Sequence, residues 1–403
     1  MWRHRRKNLM KLLIVSFYFP PDLSAGSFRT KGLVDALLKY NTNIQIDVLT
    51  TYPHRYESYN PNVNQESNDK RLRVHRLNNK FYGNSLLGQI LTFNSFRKKA
   101  LNKIKEGDWD LVYATSSRLM TAYLGSVIAL KKGIVLYLDI RDLFIDTVND
   151  IFPKTILLII NPFLKYIEKK TFQSANKINL VSKGFNKDVL KIYNKANISN
   201  FTNGIDKIFL DTNFDDPDPS KKNFQILYVG NIGGGQALNK IIPKTASKTS
   251  ENIIFKIIGD GNSKSLLKKE IQKYNLNNVQ IDDPVDRTKL LDIYKESDAL
   301  FLHLDDVEAF SKVLPSKLFE YAALNKPIIA GVQGYSKEFI ENNISDAYIF
   351  DPCDHQKFIK IINKIKNKRF VIDRSKFCTK FSRSEIMKEM SIDIHNTFKN
   401  ERR

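Results

Sequence analysis

The chain has 403 residues and a formal charge of +21, with 42% hydrophobic and 11% aromatic residues. This length predicts two or three domains with real cores, which excludes the disordered and fibrous classes. The charge is uneven, because residues 1–200 carry 32 Lys and Arg against 15 Asp and Glu, whereas residues 201–403 carry 32 against 28. The basic half indicates an anionic partner, such as membrane lipid, nucleic acid or a phosphorylated substrate.

The basic start of the chain and the apolar run Leu12–Phe19 together look like a secretory signal. The run ends at Pro20, however, and has no small-residue cleavage site, so we predict a first core strand with Met1 or Met10 as the start. A second apolar stretch, Ile151–Leu164, is interrupted by polar residues and prolines and is too short to span a membrane. We expect a protein that is soluble or lies on a membrane surface.

Short apolar runs alternate with longer helical patterns along both halves, which is typical of parallel sheets with crossover helices. In the first half we predict strands over Lys11–Phe17, Ile44–Thr50, Leu72–Arg76, Leu111–Ala114, Ile134–Leu138 and Lys177–Val181. In the second half we predict strands over Phe224–Val229, Ile253–Ile258, Val279–Ile281, Ala299–Leu304, Pro327–Ala330 and Ala347–Phe350. The predicted fold class is α/β, with two doubly wound Rossmann-like domains facing a cleft.

The predicted domain boundaries follow from these two series. An N-terminal domain covers residues 1–202, and a linker covers 203–222, which include the acidic, proline-containing stretch Asp211–Lys222. A C-terminal domain covers 223–376, and we expect a final helix over 377–403 to return to the N-terminal domain. Ligands of such sheets bind outside the carboxyl ends of the strands, so candidate motifs are those that directly follow strands.

A loop of small residues follows the first predicted strand and leads into the helical pattern Thr30–Tyr40. Its residues Ser24, Ala25 and Gly26 would let backbone N–H groups approach a phosphate or carboxylate at a helix N-terminus, with Arg29 close by. We therefore predict an acceptor or phosphate loop here. An ordinary strand-to-helix turn explains the same residues equally well.

Charged residues end another strand of the first domain, at Asp139-x-Arg141-Asp142. Two carboxylates beside an arginine at a strand end make a candidate acid/base or electrostatic site, and we assign catalytic roles to Asp142 and Arg141. A buried structural ion pair is the alternative.

Glycines follow two strands of the second domain. Gly230, Asn231 and Gly233 follow the first of these strands, and Gly259 follows the next. The spacing is neither the dinucleotide fingerprint nor a Walker loop. What the residues offer is flexible backbone that could come close to phosphate, so we predict that they contact a ligand.

The most informative segment is Ser311–Ala323. Pro315 suits the first turn of a helix, on which Lys317 and Glu320, three residues apart, would share one face. Lys312 and Lys317 could hold a pyrophosphate, and Glu320 could accept hydrogen bonds from ribose hydroxyls. The backbone that would join them in binding is that of Val313, Leu314 and Ser316. The alternative is a solvated helix face with an ordinary Lys/Glu pair.

Metal and cofactor motifs are absent from the sequence. Cys353 and Cys378 lie outside any CxxC pattern, which indicates a reducing compartment without structural zinc. The six histidines show no metal-binding spacing, and Asp305-Asp306 is a poor substitute for a D-x-D pair. We predict no cofactor and no metal.

Taken together, the motifs resemble those of the family-4 retaining glycosyltransferases of the GT-B fold, in the bacterial surface-polysaccharide branch that includes fucosamine transferases. The resemblance rests on Phe19-Pro20-Pro21 with Gly26 and Arg29, Asp139-x-Arg141-Asp142-Leu143, Val181-Ser182-Lys183, Thr202-Asn203-Gly204-Ile205-Asp206, Val229-Gly230-Asn231-Ile232-Gly233, Gly259-Asp260-Gly261 and Pro315-Ser316-Lys317-Leu318-Phe319-Glu320. It implies that the C-terminal domain binds a nucleotide-sugar donor, of UDP-N-acetylhexosamine type, and that the N-terminal domain binds the acceptor. It also implies transfer with retention of configuration in capsule or O-antigen synthesis.

The sequence departs from the family pattern at two positions. Most members carry two glutamates separated by seven residues, but here Lys312 stands eight positions before Glu320, and Glu308 lies twelve positions before it. Lys312 would then stabilise the diphosphate leaving group directly. Many relatives use a histidine in the first domain, where this chain offers Asp142 beside Arg141. We expect Asp142 to bind or deprotonate the acceptor during front-face displacement.

Two apolar stretches in the basic half are each followed by lysines, a pattern that suits shallow insertion into an anionic leaflet. The first stretch comprises Leu86, Leu87, Ile90, Leu91, Phe93 and Phe96, followed by Arg97, Lys98, Lys99, Lys103 and Lys105. The second comprises Ile156–Ile160 and Phe163, followed by Lys165, Lys169 and Lys170. We expect a cytoplasmic protein, peripheral on the inner face of the cell membrane, with a lipid-diphosphate-linked or saccharide acceptor. Packing of these helices on the sheet is the alternative.

Two other functions fit parts of the sequence. A nucleotide-sugar epimerase of the same fold would need neither a membrane nor an acceptor. A non-catalytic protein that binds membranes or nucleic acid would use the basic half alone. Nucleic-acid binding predicts basic residues interleaved with aromatics, whereas here Lys and Arg follow apolar runs, so we expect no nucleic-acid partner.

Overall fold

A computed structural model describes residues 9–22, 24–53, 63, 69–82, 86–116, 119–143, 154–212 and 221–401. The chain divides into two compact units, one formed by residues 1–203 with 383–403 and the other by residues 204–382. Parts of several predictions lie outside the described residues. These parts are the alternative start Met1, residues 151–153 of the second apolar stretch, and residues 213–220 of the linker.

The N-terminal unit is built on a seven-stranded parallel sheet in the order β3-β2-β1-β4-β5-β6-β7. The strands are β1 Met10–Val15, β2 Ile44–Thr51, β3 Leu72–Leu77, β4 Leu111–Ser116, β5 Val135–Ile140, β6 Lys177–Leu180 and β7 Ile198–Ser199. The chain runs from β1 outward to β2 and then returns to β4 on the other side of β1. The register pairs Val15 with both Leu49 and Ala114, so these strands end at one edge.

Helices cover both faces of this sheet. They are Ala25–Tyr40, Leu86–Lys103, Leu119–Lys132, Lys154–Gln173, Asn186–Ile192 and Arg383–Asn400, with short 3-10 helices at Ile104–Glu106 and Lys183–Phe185. The 25–40 helix packs on the 383–400 helix, whereas the 119–132 helix contacts both the 86–103 and the 154–173 helices. Right-handed crossovers place these two groups on opposite faces of the sheet. No helix within the described ranges combines the length and apolarity needed to cross a bilayer.

The C-terminal unit is built on a six-stranded parallel sheet in the order β10-β9-β8-β11-β12-β13. Its strands are β8 Phe224–Asn231, β9 Ile253–Asp260, β10 Val279–Asp282, β11 Ala299–His303, β12 Ile328–Gly331 and β13 Ala347–Phe350. Its helices are Lys207–Leu210, Leu238–Ala246, Lys264–Lys273, Arg287–Glu296, Lys317–Ala322, Gly334–Asn343, His355–Ile365 and Ser375–Lys380, with 3-10 helices at Gly234–Gln236 and Glu308–Lys312. Stacked aromatic rings fill its core, among them Phe301 and Phe358 with centroids 4.6 Å apart.

The predicted fold class is confirmed, and all twelve predicted strands are present. β7 was not predicted, because a two-residue strand carries no periodicity. β3 is less apolar than expected of a covered strand, since its residues are half-buried at the edge of the sheet.

The unit boundaries differ from the expected ones at both ends of the second unit. Gly204–Thr212 folds with this unit, and the amide of Ile205 donates to the carbonyl of Phe381 at 2.9 Å. At the other end, Phe377 and Phe381 pack against Phe319, with centroids 6.1 and 5.7 Å away. The helix that returns to the N-terminal unit therefore begins at Arg383 and not at residue 377.

Candidate functional site

The strand order of the C-terminal unit identifies where a ligand would bind. β8 and β11 are neighbours in the sheet. From β8 the chain continues to β9 on one side, and from β11 it continues to β12 on the other, so a crevice is expected beyond the carboxyl ends of β8 and β11. The glycine loop 230–236 follows β8, and the segment 304–312 follows β11. The amide of Asp305 donates to the carbonyl of Gly235 at 2.9 Å, and a Cβ on Gly235 would lie 2.6 Å from the Phe310 ring. The two predicted segments therefore meet.

One of the predicted donor-binding glycines, Gly259, has a structural reason for being glycine. Gly259 has φ +158°, and a Cβ there would lie 1.8 Å from the carbonyl oxygen of Gly230 on the adjacent strand. Gly259 is buried and permits close approach of β8 and β9, and its contact with a ligand stays a prediction. Gly234, in contrast, has no atom within 4 Å of its Cβ position and opens to solvent.

The loop after β8 is held in shape by its own side chains. The side-chain amide of Asn231 donates to Gln236 Oε1 at 3.0 Å, and the amide of Gly233 donates to the same oxygen at 3.2 Å. The Tyr228 hydroxyl donates to the carbonyl of Asn231 at 2.6 Å. Gly230 and Asn231 remain accessible, so the backbone that was predicted to approach phosphate is both ordered and exposed.

Lys317 and Glu320 lie at the end of β8. The Lys317 ammonium is 2.8 Å from Glu320 Oε2, and its Cε lies 3.7 Å from the Cβ position of Gly230. Arg287 is 3.7 Å from the other oxygen of Glu320 and 2.6 Å from Asp206. The Lys/Glu pair therefore exists, but Glu320 is buried, so the pair is not on a solvated helix face and lies against the glycine loop.

The predicted segment 312–316 is anchored by contacts on both sides. Lys312 ends the 308–312 3-10 helix, and Ser336 Oγ donates to the carbonyl of Val313 at 2.5 Å. The side chain of Leu314 is buried, so only its backbone could contact a ligand. Lys312 and Ser316 are half-buried, and Glu308 is exposed in the first turn of the same 3-10 helix.

Polar residues that are not among the predicted site residues complete this edge of the sheet. His303 Nδ1 donates to the carbonyl of Gln236 at 2.8 Å, and the amide of Cys353 donates to Nε2 at 2.9 Å. Burial lowers the pKa of His303 to about 4, so the ring is neutral. Lys240 forms an ion pair of 2.7 Å with Asp305. The signal for this cluster was the polar run that follows β11.

In the N-terminal unit, Arg29 is not part of an exposed loop, which corrects the prediction. Its Nε and one NH2 group donate to the carboxylate of Asp139 at 2.8 and 2.9 Å. Further bonds reach the carbonyls of Phe201 and Thr202 at 2.8 and 2.5 Å. Both side chains of the ion pair are fully buried, and Tyr113 also donates to Asp139 at 2.7 Å. The structural ion pair is therefore formed by Arg29 and Asp139.

Arg141 lies against the predicted loop, and Asp142 follows it in the chain. A Cβ on Gly26 would lie 2.1 Å from Arg141 NH1, so only glycine leaves room for this guanidinium at the start of the 25–40 helix. Arg141 Nε is buried and has no hydrogen-bond partner among the described residues. Asp142 is exposed, yet the protein around it excludes enough bulk water to raise the pKa of its carboxyl to about 6, with Arg141 opposing the rise.

The remaining loop residues serve the helix itself. The Ser24 side chain caps the 25–40 helix by accepting a bond of 3.1 Å from the amide of Ser27, and Ala25 is the first helical residue. These contacts fit an ordinary strand-to-helix turn, and binding of a phosphate or carboxylate at this helix N-terminus stays a prediction. Within the described ranges no three His, Cys, Asp or Glu side chains are grouped so that they could hold a metal.

The first apolar stretch has both buried and exposed members. Phe93 and Phe96 are buried against Phe17, which corrects the prediction for these two side chains, whereas Ile90 and Leu91 are exposed. In the second stretch, Leu158 and Phe163 are exposed. The side chains of Leu86, Leu87 and Ile156 lie outside the described residues.

Two units of this kind, each a parallel α/β sheet with crossover helices, define the GT-B class of fold. Residues 211–384 match the family model described as glycosyl transferases group 1, which corresponds to the C-terminal unit. Over 112 residues, 28% of the chain, the sequence is 32% identical to a candidate colanic acid biosynthesis glycosyl transferase, WcaI, of Escherichia coli (strain K12). The aligned stretch spans 27% of that relative.

Solved structures show the same fold over almost the whole chain. HepE of Anabaena, in complex with UDP, has a TM-score of 0.66 at 14% identity and covers 96% of this chain and 100% of its own. WaaG, a glycosyltransferase involved in lipopolysaccharide biosynthesis, has a TM-score of 0.64 at 12% identity and covers 94% and 95%. A candidate UDP-N-acetylglucosamine 2-epimerase of Listeria monocytogenes has a TM-score of 0.57 at 12% identity and covers 97% of both chains.

Proposed function

We propose that the protein is a glycosyltransferase that moves a sugar from a nucleoside diphosphate donor, of UDP-N-acetylhexosamine type, to a saccharide or lipid-diphosphate-linked acceptor. The observation that carries the proposal is the meeting of Gly230, Lys317 and Glu320 at the switch point of a domain that matches a glycosyltransferase family. Following the resemblance, we further propose the fucosamine transferase-like branch, retention of configuration and a role in capsule or O-antigen synthesis.

Donor binding would reuse the contacts already present around Lys317. A diphosphate placed over the glycine loop would lie next to the Lys317 ammonium, which now pairs with Glu320. The diphosphate would replace Glu320 as the partner of Lys317, and the Glu320 carboxylate could then accept hydrogen bonds from ribose hydroxyls. Arg287, 3.7 Å from this carboxylate, would stay beside it. Lys312 would add a second positive charge. Cations held in place by the fold stabilise the negative charge that builds on the leaving diphosphate.

Acceptor activation would use Asp142 in the N-terminal unit. Its raised pKa, about 6, suits a carboxylate that takes a proton from a hydroxyl near neutral pH. Arg141, whose buried Nε is unsatisfied among the described residues, would hold an acceptor phosphate. We also propose attachment to the inner face of the membrane, because an acceptor linked to a lipid diphosphate would be presented there.

An epimerase is the second candidate, because a protein with that description shares the fold. The two reactions differ in their products. Donor turnover that needs an added acceptor indicates transfer, whereas interconversion of the donor sugar without an acceptor indicates epimerisation.

The proposal is tested by incubating the protein with a panel of nucleotide-sugars and saccharide or lipid-linked acceptors. We expect acceptor-dependent release of nucleoside diphosphate, reduced about 100-fold or more by Asp142→Asn. The matched control is Asp35→Asn, which removes an exposed carboxylate paired with Lys31 in the same unit. Wild-type turnover by Asp142→Asn would remove this carboxylate from the mechanism.

A further inference from the structure

The 154–173 helix has an outward face that is rich in apolar side chains. Leu158, Phe163 and Tyr166 are 77%, 64% and 61% exposed. Leu158, Pro162 and Tyr166 follow one another at intervals of four residues, so they form a row along one face of the helix. Ile167 is buried on the opposite face, so the helix is packed on the unit and the row is not a part of the core.

Lysines share this outward face. Lys165, Lys169 and Lys170 are all exposed, and the first two lie one turn apart. The Lys170 ammonium is 5.7 Å from the centre of the Tyr166 ring, which is within the range of a cation–π contact. The lysines therefore lie on the same face as the apolar row, and Lys169 and Lys170 continue it toward the carboxyl end of the helix.

A depression of 630 Å³ adjoins the carboxyl end of the same face. The side chains used here are those of Lys169, Gln173, Lys191, Tyr193 and Lys195. All three lysines are exposed, and Asp188 lies 3.7 Å from Lys191 just outside the lining. The part of the lining that the structure describes contains no carboxylate, so an anion entering it would meet three ammonium groups.

We propose that this face docks on an anionic lipid bilayer, with lipid phosphate groups in the lysine-lined depression and the Leu158–Tyr166 row at the acyl boundary. The occupant follows from the combination of features. A free phosphate or a nucleic acid would use the lysines but would leave the apolar row in water, whereas a lipid surface satisfies both. The inference rests on the membrane attachment of the proposed function and is independent of the sugar-transfer chemistry.

The test is sedimentation of the full chain with vesicles of phosphatidylcholine alone or mixed in equal parts with phosphatidylglycerol. The variant carries Lys169→Gln, Lys191→Gln and Lys195→Gln. Each lysine near an anionic surface strengthens partitioning about fivefold, so we expect loss of the three to lower it about 100-fold. The matched control removes the same charge from exposed lysines of the other unit, by Lys268→Gln, Lys269→Gln and Lys289→Gln. It should sediment like the wild type.

A second variant separates lipid from other anions. Leu158→Ser with Tyr166→Ser keeps every charge and should also weaken vesicle binding, because both side chains are exposed and the fold does not need them. Equal binding of wild type and the triple lysine variant would overturn the proposal, as would equal binding to neutral vesicles. Competition by single-stranded DNA would also overturn it, if the DNA displaces the vesicles and the Leu158→Ser, Tyr166→Ser variant binds vesicles like the wild type. The rise in melting temperature on addition of UDP is measured for every variant, so a variant that has lost donor binding is distinguished from one that has lost only lipid binding.

Discussion

Replacing Arg29 by methionine should destabilise the N-terminal unit severely. The substitution keeps the length of the side chain but removes a guanidinium that is fully buried and bonded to Asp139 and to two backbone carbonyls. Asp139 would then be a buried carboxylate without its counter-charge. Removing one member of such a pair costs about 3–5 kcal/mol. For a unit of this size that corresponds to a fall in melting temperature of roughly 6–20 °C.

The assay is scanning calorimetry of Arg29→Met beside Lys31→Met. Lys31 lies two residues away and forms an exposed ion pair of 2.5 Å with Asp35, so its replacement should change stability by about 0.5 kcal/mol or less. Because Arg29 lowers the pKa of Asp139, the contribution of the pair is complete above about pH 3.9 and is lost as the pH falls through the lower folded value. If Arg29→Met lowers the free energy of unfolding by less than about 1 kcal/mol, the structural role of Arg29 is refuted. Arg29 would then again be a candidate ligand-binding residue.

Two further predictions concern the C-terminal unit. Gly259→Ala should cost about 2 kcal/mol or more, since its Cβ would meet the Gly230 carbonyl, whereas Gly234→Ala should be neutral; equal melting temperatures would contradict this. His303 takes up a proton at about pH 6.5 when unfolded but only at about pH 4 when folded, so stability should fall by about 3 kcal/mol as the pH drops from 6.5 to 4. Urea titrations across this pH range should show the fall in the free energy of unfolding, and His303→Gln should remove most of that fall.

The sheets could be predicted because their strands are apolar runs bounded by turn residues, and that signal is local. Lys317 and Glu320 could be paired for the same reason, since a spacing of three on a helix places them on one face. The Arg29–Asp139 pair joins residues 110 apart, and nothing within either segment indicates the other. His303 and Cys353 are likewise 50 residues apart, so the polar run that follows β11 indicates polar side chains at this edge but not this contact.

Which apolar side chains of the basic helices are buried and which are exposed could not be predicted from the sequence. Both apolar stretches contain enough hydrophobic residues to cover a sheet and enough lysines to bind lipid. Phe96 is buried whereas Phe163 is exposed, although each is followed closely by lysine or arginine. Each helix also has members of the other kind, since Ile90 of the first is exposed and Ile167 of the second is buried, and the sequence pattern alone does not distinguish them.

The most direct test of the account is calorimetric titration of UDP into the wild type and into a Lys312→Ala, Lys317→Ala double variant. Each charge-assisted bond to phosphate contributes about 1.5–3 kcal/mol, so we predict that the double variant binds UDP at least 100-fold more weakly. A Lys268→Ala, Lys269→Ala control, which removes two exposed lysines from the same unit, should bind like the wild type. Unchanged affinity in the Lys312/Lys317 variant would contradict the claim that this edge of the sheet holds the diphosphate.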